Sequence, residues 1–284
     1  MKQLAITADD FGLAEKLDEG IKATCHRGAV THVSLVSNGE SVESAAQFLK
    51  ANPQTSVGAH LNLTDGRPLT EGRFLQCLLD IDGKFFGSHW KVALICARNP
   101  SVLKAVEEEY RAQVQRLLDL GIRLTQLNSH GHLHGLPALF RVVNRLASDY
   151  AIPFVRVVHE WPDLPDFIDS VPRGFITLLL TSAFGVARKS GSAGGGVRAS
   201  RCFGIFDSGR LTANRLSKIL SRLPEGFSEL VCHPGSSDPE LEKRFPWNYR
   251  WEEESRLINS DWVREEMTQL GIRLVNFSEA LEIV

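Results

Sequence analysis

Three of the chain's nine histidines fall within five residues, in the stretch Leu127-Asn128-Ser129-His130-Gly131-His132-Leu133-His134-Gly135. Neutral imidazole is the commonest protein ligand for Zn²⁺ and related ions, and its near-neutral pKa also suits proton transfer. Leu124-Thr125-Gln126-Leu127 before the cluster reads as a buried strand, and Pro137-Ala138-Leu139-Phe140-Arg141-Val142-Val143 after it has helical periodicity. The cluster therefore occupies a loop between strand and helix, where α/β proteins carry their chemistry. A solvated turn with incidental histidines is the alternative, and density and placement speak against it.

Other polar residues fall at comparable places. Asp9 and Asp10 follow the run Leu4-Ala5-Ile6-Thr7, His60 ends Val57-Gly58-Ala59-His60-Leu61, Arg156 lies in Phe154-Val155-Arg156-Val157-Val158, and His233 follows Leu230-Val231-Cys232. In a parallel barrel all strand exits face one end, so residues remote in sequence converge there. Two adjacent carboxylates invite a division of labour, one holding metal and the other taking a proton, although either can instead cap the helix ahead of Leu13. A lone His60 would ordinarily be a hydrogen-bonded core residue; its shared face makes it a candidate ligand. His233 reads either as a structural histidine at a strand end or as a proton donor, and the barrel geometry favours the donor. If the helix after Ser129 begins early, His134 shares a face with His130 at i+4 and becomes the ligand in its place.

The elements that must position these residues alternate. Strands are expected at Leu4–Thr7, Val33–Val36, Val57–Leu61, Leu124–Leu127, Phe154–Val158, Phe203–Phe206, Glu229–Cys232 and Arg273–Asn276, with helices at Ala14–His26, Val42–Ala51, Val102–Leu120, Ala213–Leu223 and Ser255–Leu270. Leu-Gly-Ile-Arg-Leu occurs at 120–124 and 270–274, each time joining helix to strand, which reads as shared helix-stop chemistry. This alternation argues for an α/β fold with a parallel sheet, closed or nearly closed into a single irregular (β/α) barrel. An open doubly wound sheet is the competitor, and no Gly-x-Gly-x-x-Gly follows the first strand to support its dinucleotide-binding form. One domain over 1–284 is expected, with a long polar loop at 62–89 as substrate wall or lid and a flexible glycine-rich loop near 191–196. The apolar segment Phe175–Ala187 is too short to span a bilayer; it reads as a buried helix, with a helix lining a lipid-accepting groove as the other reading.

Length and composition agree with this frame. With 284 residues and 43% apolar content the chain can bury a large core, and 32 basic residues against 34 acidic ones, without a basic run, give no reason to expect nucleic acid as a partner. The N-terminal residues enter a strand at once and lack an apolar h-region. Five scattered cysteines without Cys-x-x-Cys spacing fit buried thiols in a reducing compartment, so a cytoplasmic location is expected. A homodimer is an open expectation, because nothing in the sequence decides the oligomeric state.

The blocks Thr7-Ala8-Asp9-Asp10-Phe11-Gly12, Gly58-Ala59-His60-Leu61-Asn62-Leu63-Thr64 with Gly66 and Pro68, Ser129-His130-Gly131-His132-Leu133-His134 and Cys232-His233-Pro234-Gly235 resemble the signatures of the YdjC-like carbohydrate deacetylases. The resemblance runs to about residue 240; 162–200 and the tail after Asp238 match no such block. It implies an irregular (β/α) barrel related to the polysaccharide deacetylases. It further implies that Asp10, His60 and His130 hold a divalent ion, with Asp9 as general base, His233 as general acid and Arg156 orienting Asp9. His132, His134 and Asn62 are then expected to touch substrate. The block Phe203–Thr212 is similar to the branch associated with hopanoid biosynthesis, which implies an N-acetylglucosaminyl hopanoid as substrate.

The chemistry also stands on the residues. An amide is a poor electrophile; its hydrolysis needs an activated water, charge stabilisation and a protonated leaving nitrogen. One carboxylate and two imidazoles can hold Mg²⁺, Zn²⁺ or Co²⁺ with positions to spare. The expectation is a hydrolase that removes acetyl from an N-acetylated amino sugar, oligosaccharide or glycolipid. A metal-bearing sugar-binding or regulatory protein with little turnover is the second class, and the presence of both Asp9 and His233 favours the enzyme. The same ligand set suits a non-haem iron oxygenase, for which no cosubstrate pocket is evident, and a two-metal phosphoesterase would need more carboxylates.

Overall fold

A computed structural model describes residues 1–190 and 197–282. The segment expected to be a flexible glycine-rich loop, 191–196, lies outside the described residues.

The opening strand β1 (Lys2–Phe11) is buried from Leu4 to Phe11, as a strand covered on both faces must be. With β2 (His32–Leu35), β3 (Ser56–Leu61), β4 (Leu124–Ser129), β5 (Phe154–Val158), β6 (Arg198–Phe203) and β7 (Gly226–Cys232) it forms a parallel sheet in sequence order. Pairing of β1 with both β7 and β2 closes this sheet into a seven-stranded barrel. The last strand, β8 (Ile272–Leu274), takes no place in the closed ring. It pairs with Lys2–Leu4 of β1, whose Thr7–Phe11 half is left for β2. The expected α/β barrel is therefore correct, and an open doubly wound sheet is excluded.

Helices surround the ring: α1 (Glu15–His26), α2 (Val42–Ala51), α3 (His89–Arg98), α4 (Pro100–Asp119), α5 (Pro137–Asp149), α6 (Leu164–Asp169), α7 (Val171–Ser190), α8 (Ala213–Arg222), α9 (Pro239–Arg244), α10 (Trp251–Ile258), α11 (Asp261–Gln269) and α12 (Phe277–Glu282). At the start of α4, Asn99 accepts from the amides of Ser101 and Val102, and Pro100 occupies the first turn, where no amide hydrogen is needed. The repeated pentapeptide does what was expected. Gly121 and Gly271 follow α4 and α11 with φ of 78° and 64°, a left-handed stop that favours glycine.

Several elements differ from expectation. The sixth strand is Arg198–Phe203, and Gly204–Phe206 belongs to the loop after it. The expected helix 255–270 is two helices, divided at Asn259–Ser260. The polar excursion ends in a helix of its own, α3, and holds a short 3₁₀ turn at Leu75–Leu78. The apolar segment 175–187 is helical within α7 but is not buried: Phe175 is 60% and Val186 58% exposed. Its inward stripe consists of Gly174, Thr177, Thr181 and Phe184, so the more apolar residues face outward.

Candidate active site and metal centre

Asp10 ends up beside Asp9 through a break in strand geometry. Successive residues of a regular strand point to opposite faces, but β1 shifts register between Ala8 and Phe11 and Asp10 has φ of 68°. The turn aims both carboxylates at the barrel's C-terminal mouth. Left-handed backbone in a residue other than glycine costs free energy and persists where surrounding structure enforces it.

Asp10, His60 and His130 bring one donor atom each to a common point. His60 Nε2 and His130 Nδ1 lie 3.3 and 2.8 Å from Asp10 Oδ1, and 3.3 Å from each other. Such separations match adjacent ligands on one ion with bonds of about 2 Å. The surroundings fit too. Asn128 Nδ2 donates to Ser34 Oγ and Gln126 Oε1, which leaves its Oδ1 to accept from His60 Nδ1 and turns the Nε2 lone pair toward Asp10. Asp65 Oδ2 lies 3.5 Å from His130 Nε2. Burial opposes a charge on His130, yet Asp10 in contact with it pushes its pKa up to about 9, a sign that this point attracts positive charge.

Arg156, fully buried in β5, grips Asp9 with two nitrogens and reaches Glu229 of β7 at 2.7 Å. Burial alone would raise the Asp9 carboxyl; Arg156, with His60 and His233 beyond it, holds it well below the usual carboxylate range. Glu229 also accepts from Thr7, Gln126 and Ser200, so the barrel interior at this level is a satisfied polar network.

His233 follows β7, its amide donating to Glu254 Oε2 and its ring packed 4.8 Å from Tyr249. Its Nδ1 is buried without a partner, and burial lowers its pKa. His132, with φ of 55°, also buries an Nδ1 that meets no partner. Gly131 before it must be glycine, because a Cβ would meet the His89 ring at 1.9 Å. Asp9, His60, His130, His132 and His233 all line one cavity of about 470 Å³, with Trp247 and Tyr249 on one side and Ile176, Leu179 and Leu180 of α7 on another.

Two expected site residues are not brought there. His134 is fully buried, with Nδ1 bonded to Ser129 Oγ and Nε2 to the carbonyl of Arg156, so it props the loop. The helix does not begin early, because Gly131 and His132 are left-handed, and His134 does not share His130's direction. Asn62 is also buried; it donates to Asn38 and to the Asp65 carbonyl, and its Oδ1 accepts from the Thr64 and Asp65 amides, which shapes the turn that carries Asp65. The 62–89 excursion reaches the cavity only through its last residue, His89.

A family model described as YdjC-like protein matches residues 3–269. The chain belongs to the YdjC-like family. A carbohydrate deacetylase of Geobacillus stearothermophilus is 27% identical over 275 residues, 96% of each chain. One from Homo sapiens is 32% identical over 302 aligned positions, covering 96% of this chain and 89% of that protein. The crystal structure of an Enterococcus faecalis protein described as a "putative cellobiose-phosphate cleavage protein" has the same fold, with a TM-score of 0.77 at 22% identity over 98% of both chains.

Several residues of this YdjC-like site escaped the reading of its sequence. Glu229 stands in Glu-Leu-Val-Cys, where a single acid in an apolar strand is the available signal. Asp65 lies between Asn62 and Gly66, where an acid before glycine reads as an ordinary turn residue. Glu254 and His89 belong to stretches with no recognisable pattern, and only the fold carries them to His233 and His130.

Proposed function

We propose that this YdjC-like protein is a metal-dependent hydrolase that removes the acetyl group from an N-acetylated amino sugar. The observation that carries this reading is the Asp10–His60–His130 donor cluster, whose two histidines line one cavity with Asp9 and His233. The relatives named carbohydrate deacetylase support it.

Asp10, His60 and His130 would hold the ion, Mg²⁺, Zn²⁺ or Co²⁺, which when bound supplies Lewis acidity toward water and the acetyl oxygen. Asp9, kept ionised and oriented by Arg156, accepts the proton of the attacking water. His233 delivers a proton to the departing amine. Trp247 and Tyr249 offer aromatic faces to the apolar face of the sugar ring. His132 lines the cavity, which supports a contact between its ring and the sugar. The apolar wall of α7 supports a substrate with an apolar aglycone, such as an N-acetylglucosaminyl hopanoid, and Ile205 and Ser208 of the block with that resemblance line the cavity. Five free cysteines, four of them buried, support a cytoplasmic enzyme.

The test is acetate release from N-acetylglucosamine oligomers and glycolipids, with and without chelator. Release that chelator abolishes and a divalent ion restores is the expected result. Tight sugar binding without release would make the protein a metal-bearing sugar binder instead.

A further inference from the structure

We propose that α6, α7 and the outer side of α3 form a docking surface that seats the cavity mouth on an anionic lipid bilayer. Leu164 is 74%, Ile168 76% and Val171 64% exposed, with Phe175 and Trp161 beside them. Single exposed apolar residues are ordinary; a run along one helical hairpin is not. Trp161, Phe175 and Val186 line a shallow external groove together with Leu179 and Ala183. Leu179 and Ala183 also line the catalytic cavity, so one apolar track leads from the metal centre to the outside. Across the mouth, Trp90 of α3 lines the cavity and is 63% exposed, with Leu94 one turn on.

Charge selects the occupant. In a chain with more acids than bases, exposed Lys91 and Arg98 accompany Trp90 and Leu94 on α3, and neither α3 nor α7 contains Asp or Glu. The acids nearby, among the described side chains, are Asp163, paired with Lys218 and Arg222, and Asp169 of α6. A two-fold pairing of this surface with a second copy would set its like charges against one another and cover the cavity mouth. An anionic leaflet attracts them, and each basic residue near it contributes about fivefold in partitioning. No helix among the described residues is long and apolar enough to cross a membrane. The mode is thus an interfacial one, with aromatic rings and apolar side chains at the headgroup boundary.

This inference rests on the proposed reading of the cavity as a site for a sugar with an apolar aglycone, and a binding measurement without substrate keeps the two apart. The full chain, loaded with metal, is sedimented with phosphatidylcholine vesicles with and without phosphatidylglycerol. Binding to the anionic vesicles that weakens with salt is expected. The triple variant Leu164→Ser, Ile168→Ser, Phe175→Ser should lose at least about tenfold in binding, with metal content and acetate release from a soluble N-acetyl sugar unchanged. Lys91→Glu with Arg98→Glu should weaken binding to anionic vesicles only. Wild-type protein that ignores both vesicles overturns the proposal, as does a wild-type dimer that the triple variant dissolves. Vesicle binding by a chain that releases acetate from no substrate upholds the surface and removes the hydrolase reading.

Discussion

Both carboxylate oxygens of Asp9 are held by Arg156, with Nη1 2.6 Å from Oδ2 and Nη2 2.8 Å from Oδ1. The fork fixes the carboxylate plane and keeps it ionised. Arg156→Lys retains a cation without the fork, so the variant should fold, bind metal and lose kcat. Arg156→Met leaves Asp9 and Glu229 buried without their partner, and denaturant unfolding should show a loss of about 3–5 kcal/mol. A Lys variant with wild-type kcat would dismiss the orienting role.

Alanine at Asp10, His60 or His130 should lower metal content, measured by elemental analysis, and abolish acetate release while circular dichroism stays unchanged. His134→Ala should keep the metal and be less stable by about 1–3 kcal/mol, since two buried hydrogen bonds lose their partner. The reverse pattern, with metal lost in His134→Ala and kept in His130→Ala, would exchange the two assignments.

Asp9→Asn preserves shape and removes the proton acceptor. Metal content should be unchanged and turnover lower by ~10²-fold or more. Normal turnover would send the proton to another group.

For His233 the discriminating quantity is the leaving group. His233→Ala should bind metal normally and be slow on an N-acetyl sugar, with a much smaller loss on an activated acetyl ester, whose leaving group needs little protonation. Equal losses on both substrates would show that His233 is not the acid.

Burial pushes the Glu254 carboxyl up from 4.5 to about 7, even though the amides of His233 and Leu211 donate to it. The folded state therefore holds this proton more tightly than the unfolded chain. Its stabilising contribution is full below about pH 4.5 and is lost as pH rises to about 7. Across that interval the stability difference between Glu254→Gln and wild type should move toward the variant by up to about 3 kcal/mol. Denaturant unfolding at a series of pH values measures it, and a difference constant with pH would mean that Glu254 does not titrate there.

What the sequence by itself determined is the alternation of strand and helix, the parallel barrel, and the position of Asp9, Asp10, His60, His130 and His233 at strand exits. These follow from local properties: buried parallel strands read as apolar runs, Gly121 and Gly271 end helices, and strand exits of a barrel share one end. The tertiary structure decided which neighbours of those residues take part. Asp10 joins Asp9 through a left-handed turn in a strand, and His130 parts from His134 through another at Gly131–His132. Backbone of this kind in Asp or His is enforced by packing, and periodicity does not carry it. Glu229 reaches Arg156 across the barrel interior and Asp65 reaches His130 because β3 pairs with β4, and both are tertiary placements. The outward face of α7 has the same cause: burial depends on what packs against a helix, and hydropathy, a property of the segment alone, reads Phe175 and Val186 as core.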